Sequence, residues 1–257
     1  MKRWYLNITF YSLFLLFSLI GIPLLAVFVA CLAPFLGHRR TMRRFRRAIT
    51  WYGRTIITLF AFPLVRVQYR DLEKEMRTGP VLLVCNHRST TDPFLASCLP
   101  FEIVQIVKKW PFKIPVLGPL ARFAGYLNIE EMSIEEFCDV GERFFREGVS
   151  LIAFPEGTRS GSREMGSFGG AVFRLALRTK VPIVPLCVVG NEIVLKKGSL
   201  VLNPGRILMR KLPALRWADY KDKTSFQLKE TVRKIIAEKA MEMDKEHDEL
   251  VSPMRRQ

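Results

Sequence analysis

The sequence predicts an α/β fold, a mixed central sheet flanked by helices, with an N-terminal hydrophobic helical segment that anchors the chain to a membrane. Short apolar runs that stop abruptly at polar loops alternate with helical periodicity between about residues 64 and 210. Polar side chains directly follow two of these runs, which is where open α/β sheets place functional groups. Residues 4–37 contain no charged side chain, as expected of a membrane segment.

The chain of 257 residues is long enough for one α/β domain and an appendage. We expect a hydrophobic helical membrane anchor with a polybasic flank at residues 1–47, the α/β domain at 48–222, and a C-terminal amphipathic helix docked on that domain at 223–257. The net charge of +16 indicates an anionic partner. The Lys and Arg residues of 1–47 flank the apolar segment, which favours an anionic membrane face over nucleic acid.

The apolar segment 4–37 would be about 50 Å long as a straight helix, against a hydrocarbon core of about 30 Å. Pro23, near its middle, is expected to kink or break the helix. Two geometries stay open, a kinked single span and a hairpin of two short helices that enters one leaflet. Basic residues at 2–3 and 39–47 favour the hairpin, with the α/β domain on the cytoplasmic face of the inner or plasma membrane.

The rest of the chain is predicted to alternate between strands and helices. After an amphipathic helix at 48–62, strands are expected at 64–69, 81–85, 102–107, 125–129, 149–154, 181–190, 200–202 and 206–210. Further helices are expected at 94–99, 116–123, 134–146, 170–179 and 224–247. Ser133 and Glu136 form a capping box that begins the helix at 134.

The segment 86–92, directly after the strand at 81–85, contains the candidate catalytic residues. His87 can take up a proton near neutral pH, and Asp92 can bind the other ring nitrogen and stabilise the imidazolium. This pair supplies a base and the group that orients it, so the nucleophile is expected to be a substrate hydroxyl. From this motif alone, a histidine that only makes a turn hydrogen bond to the backbone is the alternative.

A second polar loop, residues 155–161, follows the strand at 149–154. Arg159 has the forked guanidinium that suits phosphate, and Gly157 lets the backbone approach a substrate closely. Glu156 is expected to bind either a nearby basic group or the backbone. Lys108 lies in a basic and aromatic loop that either holds a phosphate or is ordinary solvated surface.

Neither a metal site nor a disulfide framework is predicted. The five cysteines are scattered without a Cys-x-x-Cys pair, and two of the three histidines lie in highly charged surroundings. We therefore expect the cysteines to be small core residues in a reducing compartment.

Three segments, 86–92, 154–160 and 181–185, resemble in order and spacing the glycerolipid acyltransferases of the 1-acylglycerol-3-phosphate acyltransferase type. The resemblance covers roughly residues 65–210. It implies transfer of a fatty acyl group from acyl-CoA or acyl carrier protein to the hydroxyl of a lysophospholipid, in phospholipid biosynthesis at a membrane. No cofactor beyond the acyl carrier, and no nucleic acid, is implied.

The resemblance also implies a role for each motif residue. His87 is expected to be the base and Asp92 the carboxylate that orients it. The substrate-binding residues are expected to be Arg88, Lys108, Glu156, Gly157, Thr158 and Arg159. Of these, Arg159 is expected to contact the acceptor phosphate.

Two departures from the family pattern concern the acceptor. Glu130 and Glu131 stand where the family usually has a basic residue, and Phe168 is followed by two glycines rather than by Lys-x-Gly. Two positive charges beside the phosphate are therefore missing, and each contact of this kind contributes about 1.5–3 kcal/mol. A lyso-amino-acid lipid or another lyso-lipid thus stays open as the acceptor.

Other classes of function are weaker predictions. A lipid hydrolase with an acyl-serine lacks its Gly-x-Ser-x-Gly elbow, and a nucleotide-binding enzyme lacks the glycine-rich phosphate motifs. A membrane-binding protein with a decayed catalytic site stays open, although His87, Asp92, Glu156 and Arg159 are all present.

Overall fold

One seven-stranded sheet organises the computed structural model, which describes residues 2–73, 79–114 and 117–252. The strands are β1 (Val65–Asp71), β2 (Leu82–Cys85), β3 (Ile103–Val107), β4 (Leu127–Asn128), β5 (Ser150–Ala153), β6 (Ile183–Val189) and β7 (Gly205–Lys211). Their order is β1-β7-β6-β2-β5-β3-β4, and every neighbouring pair is parallel except β6 and β7. The predicted mixed α/β architecture is confirmed.

Helices pack around this sheet. They are α1 (Lys2–Thr55), α2 (Asp92–Leu95), α3 (Leu117–Ala124), α4 (Ile134–Arg146), α5 (Ala171–Thr179), α6 (Asn191–Val194), α7 (Trp217–Tyr220) and α8 (Ser225–Val251). The Ser133 hydroxyl accepts the Glu136 N–H at 3.1 Å, so the predicted cap of α4 is present. The short helices α6 and α7 were not predicted. Parts of two predicted elements, residue 116 and residues 253–257, lie outside the described residues.

The two faces of the sheet bury separate apolar cores. Along β2, Leu82 and Val84 join the cluster that contains α4, α5 and α8, while Leu83 and Cys85 join the cluster that contains α1 and α2. All four side chains are at most 2% exposed. Because both faces are covered, the functional groups of the sheet must lie at its edges and loops.

Helix α1 is a hairpin that reverses at Gly37, and not near Pro23 as predicted. Gly37 has φ 69° and ψ 157°, a conformation that glycine adopts readily and other residues rarely adopt. The first arm is residues 2–36 and the second arm is residues 38–55. Neither of the two expected geometries is present, because the apolar segment forms one arm without a break at Pro23 and the second arm consists of the residues that follow it.

The two arms pack against each other on both sides of Pro23. Before the proline, the hydroxyls of Ser18 and Tyr52 lie 2.7 Å apart. After it, Val29 shares a buried cluster with Met42 and Phe45, so the arms are antiparallel. Ile22 is buried in a cluster with Tyr52 and Ile56. This packing continues across the proline and explains why the loss of one backbone hydrogen bond does not end the helix there.

The hairpin changes the expected domain boundary. The predicted boundary between residues 47 and 48 falls inside the second arm, which also contains the arginine run. By length and composition, the helical segment at residues 3–60, which contains both arms, is long and apolar enough to cross a membrane. The arginine run is thus part of the hairpin, and Arg43 and Arg46 of this run pair with Glu102 of the α/β domain.

Two further local predictions are wrong. The expected strand at 200–202 does not form, because the Asn7 side-chain amide binds both the N–H and the C=O of Leu202, each at 2.8 Å. Leu202 makes only an isolated bridge with Leu195. Cys31 is exposed on the first arm, so it is not a core cysteine, whereas Cys85 and two others are buried.

Candidate active site

Four neighbouring strands, β6, β2, β5 and β3, bring the functional loops to one edge of the sheet. These strands are parallel, so their carboxyl ends lie side by side. His87 follows β2, Glu156 and Arg159 follow β5, Asn191 follows β6, and Lys108 follows β3. The site is therefore assembled from residues that are more than 100 positions apart in the sequence.

The structure brings the two candidate catalytic side chains into contact. His87 Nδ1 lies 2.8 Å from Asp92 Oδ2. The Asp92 side chain is completely buried, whereas the His87 side chain is 16% exposed and packs on the Phe154 ring, with centroids 4.8 Å apart. Because Nδ1 is engaged, Nε2 is the ring nitrogen that can exchange a proton with a substrate.

Asp92 is held by two further donors. Its Oδ2 accepts the Ser89 N–H at 2.9 Å, and its Oδ1 accepts the side-chain amide of Asn191. Together with the His87 contact, these hydrogen bonds satisfy both oxygens of a completely buried carboxylate. The Asp92 carboxylate is thus held by one residue that follows β2, Ser89, and by one that follows β6, Asn191.

Asn191 is a site residue that the sequence analysis missed. The signal that was available is its position near the carboxyl end of an apolar strand, directly after Gly190. His87 and Glu156 lie in the same kind of position after their own strands. Gly190 has φ 85°, and a Cβ there would lie 2.4 Å from the Arg206 carbonyl oxygen. Only glycine fits this turn, which sets the direction of Asn191.

Glu156 positions the backbone of the catalytic loop. Its Oε1 accepts the His87 N–H at 2.7 Å and its Oε2 accepts the Gly166 N–H at 2.9 Å. The His87 carbonyl in turn accepts the Ser160 N–H at 2.8 Å. Of the two expected partners of Glu156, the structure has the backbone, and the carboxylate ties His87 to the loop after β5.

The same loop contains three further residues that were expected to bind substrate, namely Gly157, Thr158 and Arg159. Arg159 is half-buried and donates to the Thr90 hydroxyl at 3.1 Å, which uses one of its five donors. Thr158 is exposed. Gly157 has φ 67°, and a Cβ there would lie 3.4 Å from Lys108 Cε. The loop thus presents one guanidinium and, next to Gly157, one ammonium.

Arg88 contradicts the expectation that it binds substrate. Its side chain is 3% exposed and makes two hydrogen bonds to the Asp244 carboxylate, at 2.7 and 2.8 Å. Glu192 accepts a third at 3.3 Å and the Arg163 carbonyl a fourth at 3.2 Å. Because the guanidinium makes these four hydrogen bonds within the protein, it is not available to a substrate. Arg88 instead links the catalytic loop to α8.

The neighbouring carboxylates raise the pKa of Arg88. Burial lowers the pKa of this guanidinium, but the Asp244 hydrogen bonds and the nearby Glu192 carboxylate outweigh burial and raise it. Glu192 is the neighbour of Asn191 in α6. Arg88 therefore joins three elements, namely the catalytic loop, α6 and α8, around one buried charge.

The two acidic residues that depart from the family pattern pair with the basic loop. Glu130 Oε1 lies 3.7 Å from Lys108 Nζ, and its Oε2 accepts the Lys109 N–H at 2.8 Å. Glu131 lies 2.8 Å from Lys109 Nζ, and this hydrogen bond lowers the pKa of the Glu131 carboxyl. Lys108 therefore shares its charge with a carboxylate.

Comparison with known proteins gives one family. A family model described as Acyltransferase matches residues 66–189, which contain His87 and Arg159. The 1-acyl-sn-glycerol-3-phosphate acyltransferase of Escherichia coli (strain K12) is 30% identical over 189 residues, 71% of this chain and 76% of the relative. The enzyme of the same name from Cocos nucifera is 31% identical over 153 residues, 58% of this chain.

The chain spans only half the length of the Cocos nucifera relative and 60% of the one from Limnanthes alba. Among solved structures, the 1-acyl-sn-glycerophosphate (LPA) acyltransferase PlsC from Thermotoga maritima superposes with a TM-score of 0.77. The superposition covers 95% of this chain and 96% of the Thermotoga maritima chain, and the two sequences are 21% identical. At that identity the likeness shows a shared fold.

Proposed function

Because this chain belongs to the 1-acyl-sn-glycerol-3-phosphate acyltransferase family, we propose that it transfers a fatty acyl group from a thioester to the hydroxyl of 1-acylglycerol-3-phosphate and forms phosphatidic acid. The single observation that supports this most is the buried pair of His87 and Asp92. No serine, threonine or cysteine side chain among the described residues bonds to the His87 ring. The pair therefore suits a nucleophile that arrives with the substrate.

In the proposed mechanism, His87 Nε2 takes the proton of the acceptor hydroxyl while Asp92 stabilises the imidazolium that forms. The acceptor oxygen attacks the thioester carbonyl and gives a tetrahedral intermediate. When it collapses, the carbon–sulfur bond breaks and the thiolate takes the proton from the imidazolium. The donor is acyl-CoA or acyl carrier protein, and the thiol of that carrier is the second product.

Arg159 is the proposed ligand of the acceptor phosphate. Replacing it with alanine is expected to raise the acceptor KM about 10- to 100-fold, because a charge-assisted contact is lost, with a smaller change in kcat. The measurement is initial-rate kinetics with lysophosphatidate and thioester varied in turn. A rise confined to the thioester KM would assign Arg159 to the donor side and contradict this role.

A lyso-amino-acid lipid or another lyso-lipid with less negative charge is the second candidate acceptor. The supporting observation is the ion pair of Glu130 with Lys108 at 3.7 Å, which places a negative charge next to a lysine that could otherwise bind a phosphate. An acceptor with an amine in its head group would suit this mixed charge better than a phosphate monoester does.

Glu130→Gln distinguishes the two acceptors. If the acceptor is lysophosphatidate, releasing Lys108 from its carboxylate is expected to lower the acceptor KM about two- to fivefold, since exposed ion pairs are weak. Glu131→Gln is the matched control, because Glu131 pairs with Lys109 and not with Lys108. If Glu130→Gln instead raises the KM while a lyso-amino-acid lipid is the better wild-type substrate, the second candidate replaces the first.

We propose that the hairpin seats the enzyme on the cytoplasmic face of an inner or plasma membrane. Its first arm exposes many large apolar side chains, among them Trp4, Leu16 and Leu24, each at least 58% exposed. On the second arm, Arg40 and Arg44 are exposed and have no acidic partner among the described residues. Unpaired arginines beside an apolar surface favour anionic lipid head groups, and positive flanks favour the cytoplasm.

A further inference from the structure

The connection between α6 and β7 joins the catalytic loop to the first arm of the hairpin. At its start, the Leu195 carbonyl accepts the Ser89 hydroxyl at 3.0 Å, two residues after His87. At its end, Leu202 is bound on both its N–H and its C=O by the Asn7 side chain of the first arm. We refer to residues 196–202 of this connection as the apolar loop.

Inside these two attachments the apolar loop makes a tight turn. The Ser199 N–H donates to the Lys196 carbonyl at 3.0 Å, and Gly198 has φ 80°. The turn leaves Leu200 79% exposed and Val201 40% exposed. A single exposed apolar side chain is ordinary on a protein surface, so what matters is the surface that these two side chains adjoin.

The adjoining surface is the exposed apolar face of the first arm. The Tyr11 hydroxyl donates to the Leu200 carbonyl, which fixes the loop against that arm. Trp4 and Ile8 precede Tyr11 at helical spacing and are 76% and 61% exposed. Leu200 and Val201 therefore extend an exposed apolar surface that already belongs to the hairpin.

Basic side chains accompany the apolar ones. Lys196 and Lys197 are exposed and have no acidic partner among the described residues. Lys197 packs close to Gly161, where a Cβ would lie 2.9 Å from the lysine Cβ, in the loop after β5. Apolar residues next to unpaired lysines are the composition of a segment that lies at the interface of an anionic bilayer.

We propose that the apolar loop is a second membrane contact, in which Leu200 and Val201 enter the acyl region of the bilayer and Lys196 and Lys197 bind lipid phosphates. The proposal rests on the membrane association proposed above for the hairpin and adds a contact outside it. Because the Ser89 hydroxyl donates a hydrogen bond to the Leu195 carbonyl, this contact would also fix the distance between the catalytic loop and the membrane surface. Lipid substrates then meet His87 at a fixed depth.

Site-specific fluorescence tests this contact. Leu200→Cys is labelled with an environment-sensitive fluorophore in a Cys31→Ser background, because Cys31 is the exposed native cysteine. The Cys31→Ser protein treated in the same way gives the blank. Leu19→Cys on the first arm, at a residue 62% exposed, reports seating of the hairpin, and Phe226→Cys on α8, at a residue 67% exposed, is the matched control outside both surfaces.

With vesicles of phosphatidylethanolamine and phosphatidylglycerol, the labels at 200 and 19 are expected to shift to the blue and to be quenched by doxyl-labelled lipid. The label at 226 is expected to do neither. A response at 19 without one at 200 overturns the loop contact and leaves the hairpin seated. No response at either position overturns membrane association itself. An equal response at 226 would show that the label responds to vesicles wherever it is placed, and it would overturn a specific contact at residue 200.

An activity measurement adds the functional consequence. The double variant Leu200→Ser and Val201→Ser is expected to lose about tenfold in rate on acceptor carried in vesicles, because two apolar side chains no longer enter the bilayer. Its rate on acceptor dispersed in detergent is expected to stay at the wild-type value. An equal loss in both assays would assign these residues to the fold of the site and overturn the proposed contact.

Discussion

Replacing His87 with alanine is expected to lower turnover by about two to four orders of magnitude, because the acceptor hydroxyl then loses its general base. The contacts that position the loop are made by the His87 backbone, to Glu156 and to Ser160, and they survive this substitution. The variant should therefore stay folded, with a moderate loss of stability because the Asp92 hydrogen bond and the Phe154 contact are lost. The measurement is the initial rate of thiol release at saturating acceptor, beside circular dichroism of the same sample.

Asp92→Asn is the companion variant. An amide at this position cannot stabilise the imidazolium and favours the wrong tautomer of His87, so a loss in kcat comparable to that of His87→Ala is expected. The double variant should then lose little more than either single variant, since the two residues act as one unit. Near-wild-type turnover in a folded His87→Ala protein would refute the base role.

The second large effect is expected from Asp244, a residue of the C-terminal helix. Asp244→Asn removes the carboxylate that neutralises the buried Arg88 guanidinium at 2.7 and 2.8 Å. Breaking a buried ion pair from one side destabilises a protein by about 3–5 kcal/mol, and we expect the lower figure because Glu192 stays in contact. For a chain of this size the midpoint of thermal unfolding should fall by about 6–12 °C.

Asp248→Asn is the matched control, one helical turn further along α8. Asp248 makes two hydrogen bonds to Arg163, but both side chains are about half exposed, so the loss should stay within about 1 kcal/mol. Asp244→Asn is also expected to lower kcat at temperatures where it is folded, because Arg88 and Glu192 flank His87 and Asn191 in sequence. Equal stability of the two variants would contradict a buried role for the Arg88–Asp244 pair.

The sequence predicted the parts of the fold that depend on local pattern. Apolar runs such as 81–85 and 149–154 contain strands that are buried on both faces of the sheet. Their short length and the polar loops that follow them favour strands over helices. His87 and Asp92 could be paired because they lie only five positions apart on one loop. The cap of α4 at Ser133 likewise depends on neighbours in sequence.

Contacts between distant residues could not be predicted in this way. Arg88 stands inside a motif that suggests substrate binding, and only the folded chain brings it to Asp244, which is 156 positions away. Asn191 belongs to a four-residue helix that has no periodic pattern. The reversal at Gly37 was missed because Pro23 is the stronger local signal, whereas packing between the two arms decides where the helix turns.

The measurement that tests the account most directly is thiol release from a long-chain acyl-CoA by the full-length protein, followed by mass spectrometry of the lipid product. We expect release that depends on added lysophosphatidate, with one phosphatidate formed for each thiol, and the same with acyl carrier protein if that carrier is the donor. Release of free fatty acid without any acceptor would show a hydrolase. No turnover with either donor and any lyso-lipid, while vesicle binding persists, would contradict the acyltransferase and show a membrane-binding protein.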